Sequence, residues 1–198
     1  MLELAVLGLL HEAPMHGYEL RKRLQEIRAF SCGTVYPTLR RMRRAGLIEE
    51  TQEAQQGQEA QRSRRARRVY RLTESGRERF VELVEDCGPR ACQDEAFDVR
   101  LAFFARTPAP VRMRILESRR RRVEQRREGQ RAILTRADEQ CDRYTAQLHR
   151  LGLDHSELEV RWLDELIAHE RAEQGAERPA GVGDRLDRGL DRDTTNGT

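Results

Sequence analysis

The chain has 198 residues, of which 36% are charged and 5% are aromatic, a composition that favours a helical, highly solvated protein over a β-sandwich or barrel. The net charge of +3 is uneven: residues 1–80 hold 16 basic and 10 acidic side chains, and residues 81–198 hold 21 and 24. The basic amino-terminal part favours an anionic partner. The apolar start MLELAVLGLL is too short for a membrane span and lacks a signal peptide's basic flank, so we expect a cytoplasmic protein without a membrane partner.

The first 27 residues predict two short helices. Apolar side chains recur at helical spacing within residues 2–11, which predicts a first helix with one buried stripe. Pro14 disfavours helical backbone at the residue before it, and the apolar spacing then resumes. We therefore expect a second helix from about Met15 to Ile27.

A third helix is predicted to begin between Ser31 and Tyr36. Ser31 is a suitable N-cap, and Pro37 is acceptable only within the first turn, where no backbone donor is missed. Gly46 is a typical residue just past a helix end. The inward positions of this helix hold Val35, Leu39 and Met42, whereas its outward positions hold Arg40, Arg41, Arg43 and Arg44.

Two short strands follow, at LIEET (47–51) and RRVYRLT (67–73), with a polar loop at 53–67 between them. A fourth helix begins at Thr73, whose hydroxyl has an acidic partner within the first turn. Three helices followed by a β-hairpin are the order of a winged helix-turn-helix. The fold class predicted is therefore mainly α, with a two-stranded β wing, followed by a helical dimerisation domain.

Glycine and proline in CGPRAC (87–92) predict a junction between two domains. We place a DNA-binding domain at 1–86, a helical dimerisation and effector domain at 93–172, and a disordered tail at 173–198. From Leu134 to Leu151 apolar residues alternate in steps of three and four, which is typical of a helix that packs against a partner helix. LGLDHS (151–156) predicts a turn before a final helix. The residues expected at a dimer interface are Phe97, Leu101, Phe104, Leu134, Cys141, Tyr144, Leu148 and Leu151.

The third helix has the residues needed to read duplex DNA. The first turn of a recognition helix approaches the bases, and later arginines contact phosphates. The loop RSRRARR (62–68) lies where a wing would contact the backbone or enter a minor groove. The DNA-contacting residues predicted from this geometry are Thr34, Tyr36, Pro37, Thr38, Arg40, Arg41, Arg44, Arg64, Arg65 and Arg67.

Four segments, LGLL, PMHGYEL, GTVYPTLRRMRRAGLI and RRVYRLTESGRERF, resemble the PadR-type transcriptional regulators in order and spacing. The resemblance covers residues 2–85, and residues 97–120 resemble the helical domain that many members use to dimerise. It implies a winged-helix homodimer, usually a repressor, that leaves a pseudo-palindromic operator when a small molecule or other signal acts. By motif, His16 and Tyr18 join the DNA-contacting residues. The insertion at 52–61, before the arginines of the wing, departs from the family pattern.

Other interpretations remain for several of these residues. The arginines of the third helix can form a solvated face, Tyr36 can be a packing residue, and His16 can bond its own turn. The run SRRRRVEQRR (118–127) is more typical of a salt-bridged surface than of a second DNA contact. Trp162 is either a core residue or a stacking platform for a planar ligand.

The cysteines form no zinc spacing, and Cys87 and Cys92 at the junction are better redox candidates than Cys32 and Cys141. No catalytic motif is present, so we expect neither an enzyme nor a metal or other cofactor. The alternative function is a winged-helix adaptor that binds an acidic protein without reading DNA.

Overall fold

The computed structural model describes residues 1–52, 68–137 and 142–176. These ranges are mainly helical with a small antiparallel sheet, which confirms the predicted mainly α class with a helical carboxyl-terminal region. The amino-terminal part contains α1 (Leu2–Glu12), β1 (Met15–His16), α2 (Gly17–Ile27), α3 (Cys32–Arg44), β2 (Ile48–Gln52), β3 (Arg68–Leu72) and α4 (Glu74–Glu85). The carboxyl-terminal part contains α5 (Asp94–Leu101), a 3-10 turn (Phe104–Arg106), α6 (Ala109–Ala137) and α7 (Arg143–Ala176).

Helix α1 is the centre of the amino-terminal core. All seven residues from Leu4 to Leu10 are buried, so the expectation of a single buried stripe is wrong. The helix is covered by α2, α3, α4 and β3, and also by the second part of the chain. At Gly8, a Cβ atom would lie 2.3 Å from the ring of Phe103, so this glycine allows the ring to pack directly on α1.

Within the described residues the sheet has three strands, in the order β1-β3-β2, rather than the predicted two. Met15 pairs with Tyr70, and His16 pairs with Val69, so these two residues are strand and not the start of α2. A two-residue strand is too short to produce an alternating pattern, which is why the sequence does not reveal it. β2 and β3 form the predicted hairpin, from Ile48 opposite Leu72 to Gln52 opposite Arg68.

The ends of α3 agree with the sequence, but the position of its proline does not. Ser31 caps the helix by accepting a hydrogen bond from the Gly33 N–H, and Gly46 just beyond the end has a φ of 70°. Pro37 is the sixth residue of α3, past the first turn, so it has no N–H to donate to the carbonyl of residue 33. The restriction of Pro37 to the first turn was therefore wrong.

Helices α6 and α7 form a long antiparallel hairpin. The predicted turn at 151–156 is wrong, because α7 runs without a break from Arg143 to Ala176. At Gly152 a Cβ would lie 2.5 Å from the Gln130 side chain, and the Ser156 hydroxyl donates to the Gln130 amide oxygen at 2.8 Å. Gly152 thus serves close helix packing and does not end the helix.

The predicted stripe from Leu134 to Leu151 does not lie on one helix, since α6 ends at Ala137 and α7 begins at Arg143. Residues 173–176 belong to α7, so the tail cannot begin at 173. The rest of the tail, Cys141 and the wing arginines Arg64, Arg65 and Arg67 lie outside the described residues. Among the residues that are described, no helix is both long and apolar enough to cross a membrane.

Helix α5 and the residues after it contribute to two cores. Val99 and Phe103 pack in the amino-terminal core. Phe97 and Phe104 pack in the second core, with residues of α6 and α7. The aromatic rings of one short segment therefore join the two parts of the chain.

Candidate nucleic-acid interface

Helix α3 is amphipathic in the way that a recognition helix requires. Its inward residues Val35, Leu39 and Met42 are each 1% exposed and fix the helix on the core. On the opposite face the Tyr36 ring is 47% exposed. The other predicted contact residues are also at the surface, with Thr38 half-buried and Thr34, Pro37, Arg40, Arg41 and Arg44 exposed.

The arginines of α3 differ in how far they are already neutralised. Within the described ranges Arg40 and Arg44 form no ion pair. Arg41 lies 3.5 Å from the Glu3 carboxylate but remains largely exposed. Such an exposed pair contributes little, because water and salt screen it. At least two guanidinium groups of this face are thus available to an anionic partner.

The start of α2 meets the start of α3. A Cβ atom at Gly17 would lie 3.2 Å from the Tyr70 ring and 4.0 Å from the Tyr36 ring, so the glycine allows a close approach. The adjacent Tyr18 ring is 70% exposed, and the Arg21 guanidinium lies 5.5 Å from its centre. Gly17, the neighbour of Tyr18, thus packs close to the Tyr36 side chain, and both tyrosines are exposed. His16 lies half-buried in β1 beside them.

A cluster between α3 and the hairpin was not predicted from the sequence. The Glu50 carboxylate of β2 pairs with Arg43 of α3 and, at 3.0 Å, with the Nε of Arg68 of β3. These groups border a cleft of about 460 Å³ that is also lined by Tyr36, Leu39, Arg40 and Tyr70. Burial, and then the charge of Glu50, raise the pKa of the Tyr70 hydroxyl, which therefore stays protonated. Glu50 lies two residues after the buried Ile48, so strand alternation places both on the inward face of the sheet. This spacing could have indicated the cluster from the sequence.

The residues predicted at a dimer interface fall into two groups. Phe97 and Phe104 are already buried by the chain itself, and Leu101 and Leu134 are half-buried. Tyr144, Leu148 and Leu151 of α7 are instead exposed, with Tyr144 at 82%. Leu158 and Trp162 extend this exposed group along α7 in heptad steps. We call Tyr144, Leu148, Leu151, Leu158 and Trp162 the α7 stripe.

Trp162 belongs partly to the core and partly to this surface. Its ring meets Phe97 edge-on at 6.2 Å between centres and remains 40% exposed. Cys92 is buried, where its thiol donates to the Pro89 carbonyl at 3.3 Å, and Cys87 is half-buried. The proposed ligand contact of Trp162 and the proposed redox role of Cys87 and Cys92 stay predictions. No cluster of metal-binding side chains occurs within the described part of the chain.

In the described residues, three of the six arginines in the run 118–127 of α6 form ion pairs. Arg119 pairs with Asp94 and Glu159, and Arg126 pairs with Glu159 at 2.6 Å. Arg120 pairs with Asp164 of α7. Arg121, Arg122 and Arg127 form no ion pair within those residues, so the preference for a salt-bridged surface over a second DNA contact stays a prediction.

Comparison with models of protein families matches the amino-terminal part of the chain. Residues 6–82 match the model of the transcriptional regulator PadR-like family. A family of transcriptional regulators agrees with the expectation that the chain is not an enzyme. No curated protein matches the chain.

Several solved structures are similar to it. One is smu.1704 from Streptococcus mutans UA159, 27% identical over 41% of this chain and 71% of that chain, with a TM-score of 0.35. Bacillus subtilis PadR in complex with operator DNA is 17% identical over 85% and 97%, with a TM-score of 0.39. The PadR-like transcriptional regulator BC1756 from Bacillus cereus is 18% identical over 87% and 99%, also with a TM-score of 0.39.

Proposed function

We propose that this chain, whose residues 6–82 belong to the PadR-like family of transcriptional regulators, binds double-stranded DNA as a homodimer. It represses transcription until a small molecule or a stress signal releases it. The observation that carries the proposal is the outward face of α3, which combines exposed Tyr36 with Arg40 and Arg44. Side chains of a helix in the major groove donate to base edges and phosphates, and arginine suits both.

The roles on this face divide by position. Thr34, Tyr36, Pro37 and Thr38 near the start of α3 read bases, and Arg40, Arg41 and Arg44 contact phosphates. His16 and Tyr18 contact the DNA next to the recognition helix. The wing arginines Arg64, Arg65 and Arg67 contact the adjacent backbone or minor groove.

Fluorescence anisotropy tests the DNA-binding part of the proposal. The probe is a duplex with an inverted repeat from the promoter region of the protein's own gene, and a shuffled duplex is the control. We expect sequence-selective binding that weakens steeply with salt, because arginine contacts release counterions from phosphates. Tyr36→Ala should reduce discrimination between the two duplexes more than it weakens binding to either. Binding that is neither selective nor sensitive to salt would contradict the proposal.

The second copy is proposed to bind along the α7 stripe. Five large apolar side chains in heptad steps are costly to leave in water, and a matching helix from another copy would cover them. Half-sites on DNA are then read about one helical turn, roughly 34 Å, apart.

Light scattering on size-exclusion fractions tests this dimer. The double variant Leu148→Glu, Leu151→Glu should elute as a monomer and lose most of its affinity for the inverted repeat. Val81→Glu is the matched control, since Val81 is an apolar side chain of α4 that is 47% exposed and lies outside the stripe. If the double variant and the Val81→Glu control both remained dimers, the α7 stripe would not be the dimer surface.

The effector is proposed to act where the two parts of the chain meet. A cleft of about 610 Å³ lies between α1, α2 and α5, lined by Leu9, Ile27, Leu101 and charged side chains. A ligand that prefers one state must shift the equilibrium between the states. A thermal-shift screen of aromatic acids and planar cationic compounds, with and without operator duplex, should therefore find compounds whose stabilisation differs between the two conditions.

A further inference from the structure

Glu50 is an acidic side chain at the centre of a surface proposed to bind a polyanion. Its side chain is only 11% exposed, on the sheet face that packs against α3. One carboxylate oxygen contacts Arg43 of the recognition helix, and the other contacts Arg68, the first described residue of β3. One carboxylate therefore joins the recognition helix to both strands of the hairpin.

The neighbouring Glu49 provides a comparison within the same strand. Glu49 pairs with Arg71 directly across the hairpin, and its side chain is 45% exposed. That pair lies on the opposite sheet face, beside a cleft formed by His11, Thr73 and Arg77. The two glutamates thus carry the same charge on adjacent residues, but only Glu50 contacts α3.

The charge of Glu50 has two consequences for Arg43 and Arg68. It fixes both guanidinium groups in one geometry, since a shielded carboxylate with two arginine partners is a strong acceptor. It also neutralises part of their charge, which weakens their attraction to phosphates of any sequence. Binding independent of sequence comes almost entirely from such phosphate contacts.

We propose that Glu50 is a positioning residue that raises DNA specificity by holding Arg43 and Arg68 against the base of the wing. This inference rests on the proposed DNA binding. With Glu50 in place, the hairpin keeps a fixed angle to α3, and the two arginines contribute little to binding on random sequence. Without Glu50, both arginines are free to contact phosphates on DNA of any sequence.

The test compares Glu50→Gln with the matched control Glu49→Gln on the inverted-repeat duplex and on the shuffled duplex. We expect Glu50→Gln to bind the shuffled duplex more tightly and to lose roughly tenfold of its preference for the inverted repeat. Each arginine that gains a phosphate adds about 0.9 to the slope of log affinity against log salt, so the slope should steepen by up to about 1.8. Glu49→Gln should leave the preference and the slope close to those of the unmodified protein.

A double variant separates this role from a merely structural one. Adding Arg43→Gln to Glu50→Gln should remove part of the extra binding to the shuffled duplex, because the freed arginine is then absent. Should Glu50→Gln lack a cooperative thermal transition, Glu50→Met replaces the carboxylate with an apolar side chain of similar volume and gives the same comparison.

The outcomes separate the two proposals. If the unmodified protein binds neither duplex, the proposed function fails, and the role of Glu50 fails with it. If the unmodified protein is selective but Glu50→Gln behaves like Glu49→Gln, or weakens both duplexes equally with an unchanged salt slope, only the inference about Glu50 is overturned.

Discussion

Helices α3 and α6 are both rich in arginine, and each combines arginines that pair with carboxylates and arginines that do not. On α3, Arg40 and Arg44 have no carboxylate partner within the described residues. On α6, Arg119, Arg120 and Arg126 each pair with acidic side chains of α5 or α7. Arg121, Arg122 and Arg127 of α6 form no ion pair within the described residues either, so the two helices differ in which elements supply the carboxylates and not in whether arginines are left unpaired.

The difference arises from the neighbouring elements and not from the arginines. Helix α7 lies antiparallel to α6 and places Glu157, Glu159 and Asp164 opposite its arginines. Beside α3, Glu50 pairs with Arg43 and Glu3 lies 3.5 Å from Arg41, but in the described ranges no carboxylate pairs with Arg40 or Arg44. The number of arginines on a helix therefore does not by itself identify a DNA surface in this chain.

The largest effect is expected from charge reversal on α3. The double variant Arg40→Glu, Arg44→Glu should weaken binding to every duplex, because two phosphate contacts are replaced by repulsion. At about 2 kcal/mol for each lost contact, the affinity should fall roughly a thousandfold. Anisotropy titrations measure this fall, and the melting temperature should change little since both side chains are exposed.

The matched variant on α6 is Arg120→Glu, Arg126→Glu. Its change of formal charge is the same, so a purely global electrostatic effect would weaken DNA binding as much as the α3 variant does. We expect a much smaller loss of affinity and instead a lower melting temperature. Equal losses of affinity in the two variants would show that α3 contributes no more to DNA binding than α6 does.

A smaller effect, on stability, is expected from Arg119→Gln. The Arg119 side chain is 7% exposed, pairs with Asp94 and Glu159, and also donates to the Cys92 carbonyl at 3.1 Å. Removing one partner of a shielded ion pair leaves the other partners unsatisfied, so the free energy of unfolding should fall by about 3 kcal/mol. Urea denaturation measures this loss. Arg120→Gln, whose side chain is 36% exposed, should cost less than about 1 kcal/mol.

Local signals in the sequence predicted most of the amino-terminal part. The Ser31 cap and the Gly46 stop bound α3 correctly, because each acts on the few residues next to it. The strand at Met15 could not be predicted in this way, since its partner Tyr70 is distant in sequence. Glu50 shows the same limit, because its role depends on Arg43 and Arg68 from two other elements.

The helical hairpin was harder to predict for the same physical reason. Glycine lowers helix propensity, so Gly152 suggested a turn, but contact with Gln130 on the facing helix outweighs that local preference. Phe97 and Phe104 carry the same apolar signal as Tyr144, although the first two are buried and the third is exposed. Periodicity identifies an apolar face without showing whether the same chain or another copy covers it.

The smallest effect concerns His11, which lies at the end of α1 between the two parts of the chain. Its ring stacks on Phe80 at 4.9 Å between centres. Burial, and then the charges of Arg106 and Arg77, hold the pKa of His11 below its ordinary value of 6.5, with Glu12 acting weakly in the opposite direction. The folded chain thus keeps this imidazole neutral at a pH where the unfolded chain protonates it. Its contribution to stability is present above about pH 6.5 and is lost as the pH falls below that value.

Melting temperatures between pH 7.5 and 5.0 test this linkage. The unmodified protein should lose more stability over that range than His11→Gln does, because the unfolded variant no longer takes up a proton at this position. Arg106→Gln should give an intermediate slope, since it removes the repulsion contributed by the second part of the chain and leaves that of Arg77. Identical slopes of melting temperature against pH in all three proteins would mean that the protonation of His11 does not depend on the contact between the two parts of the chain.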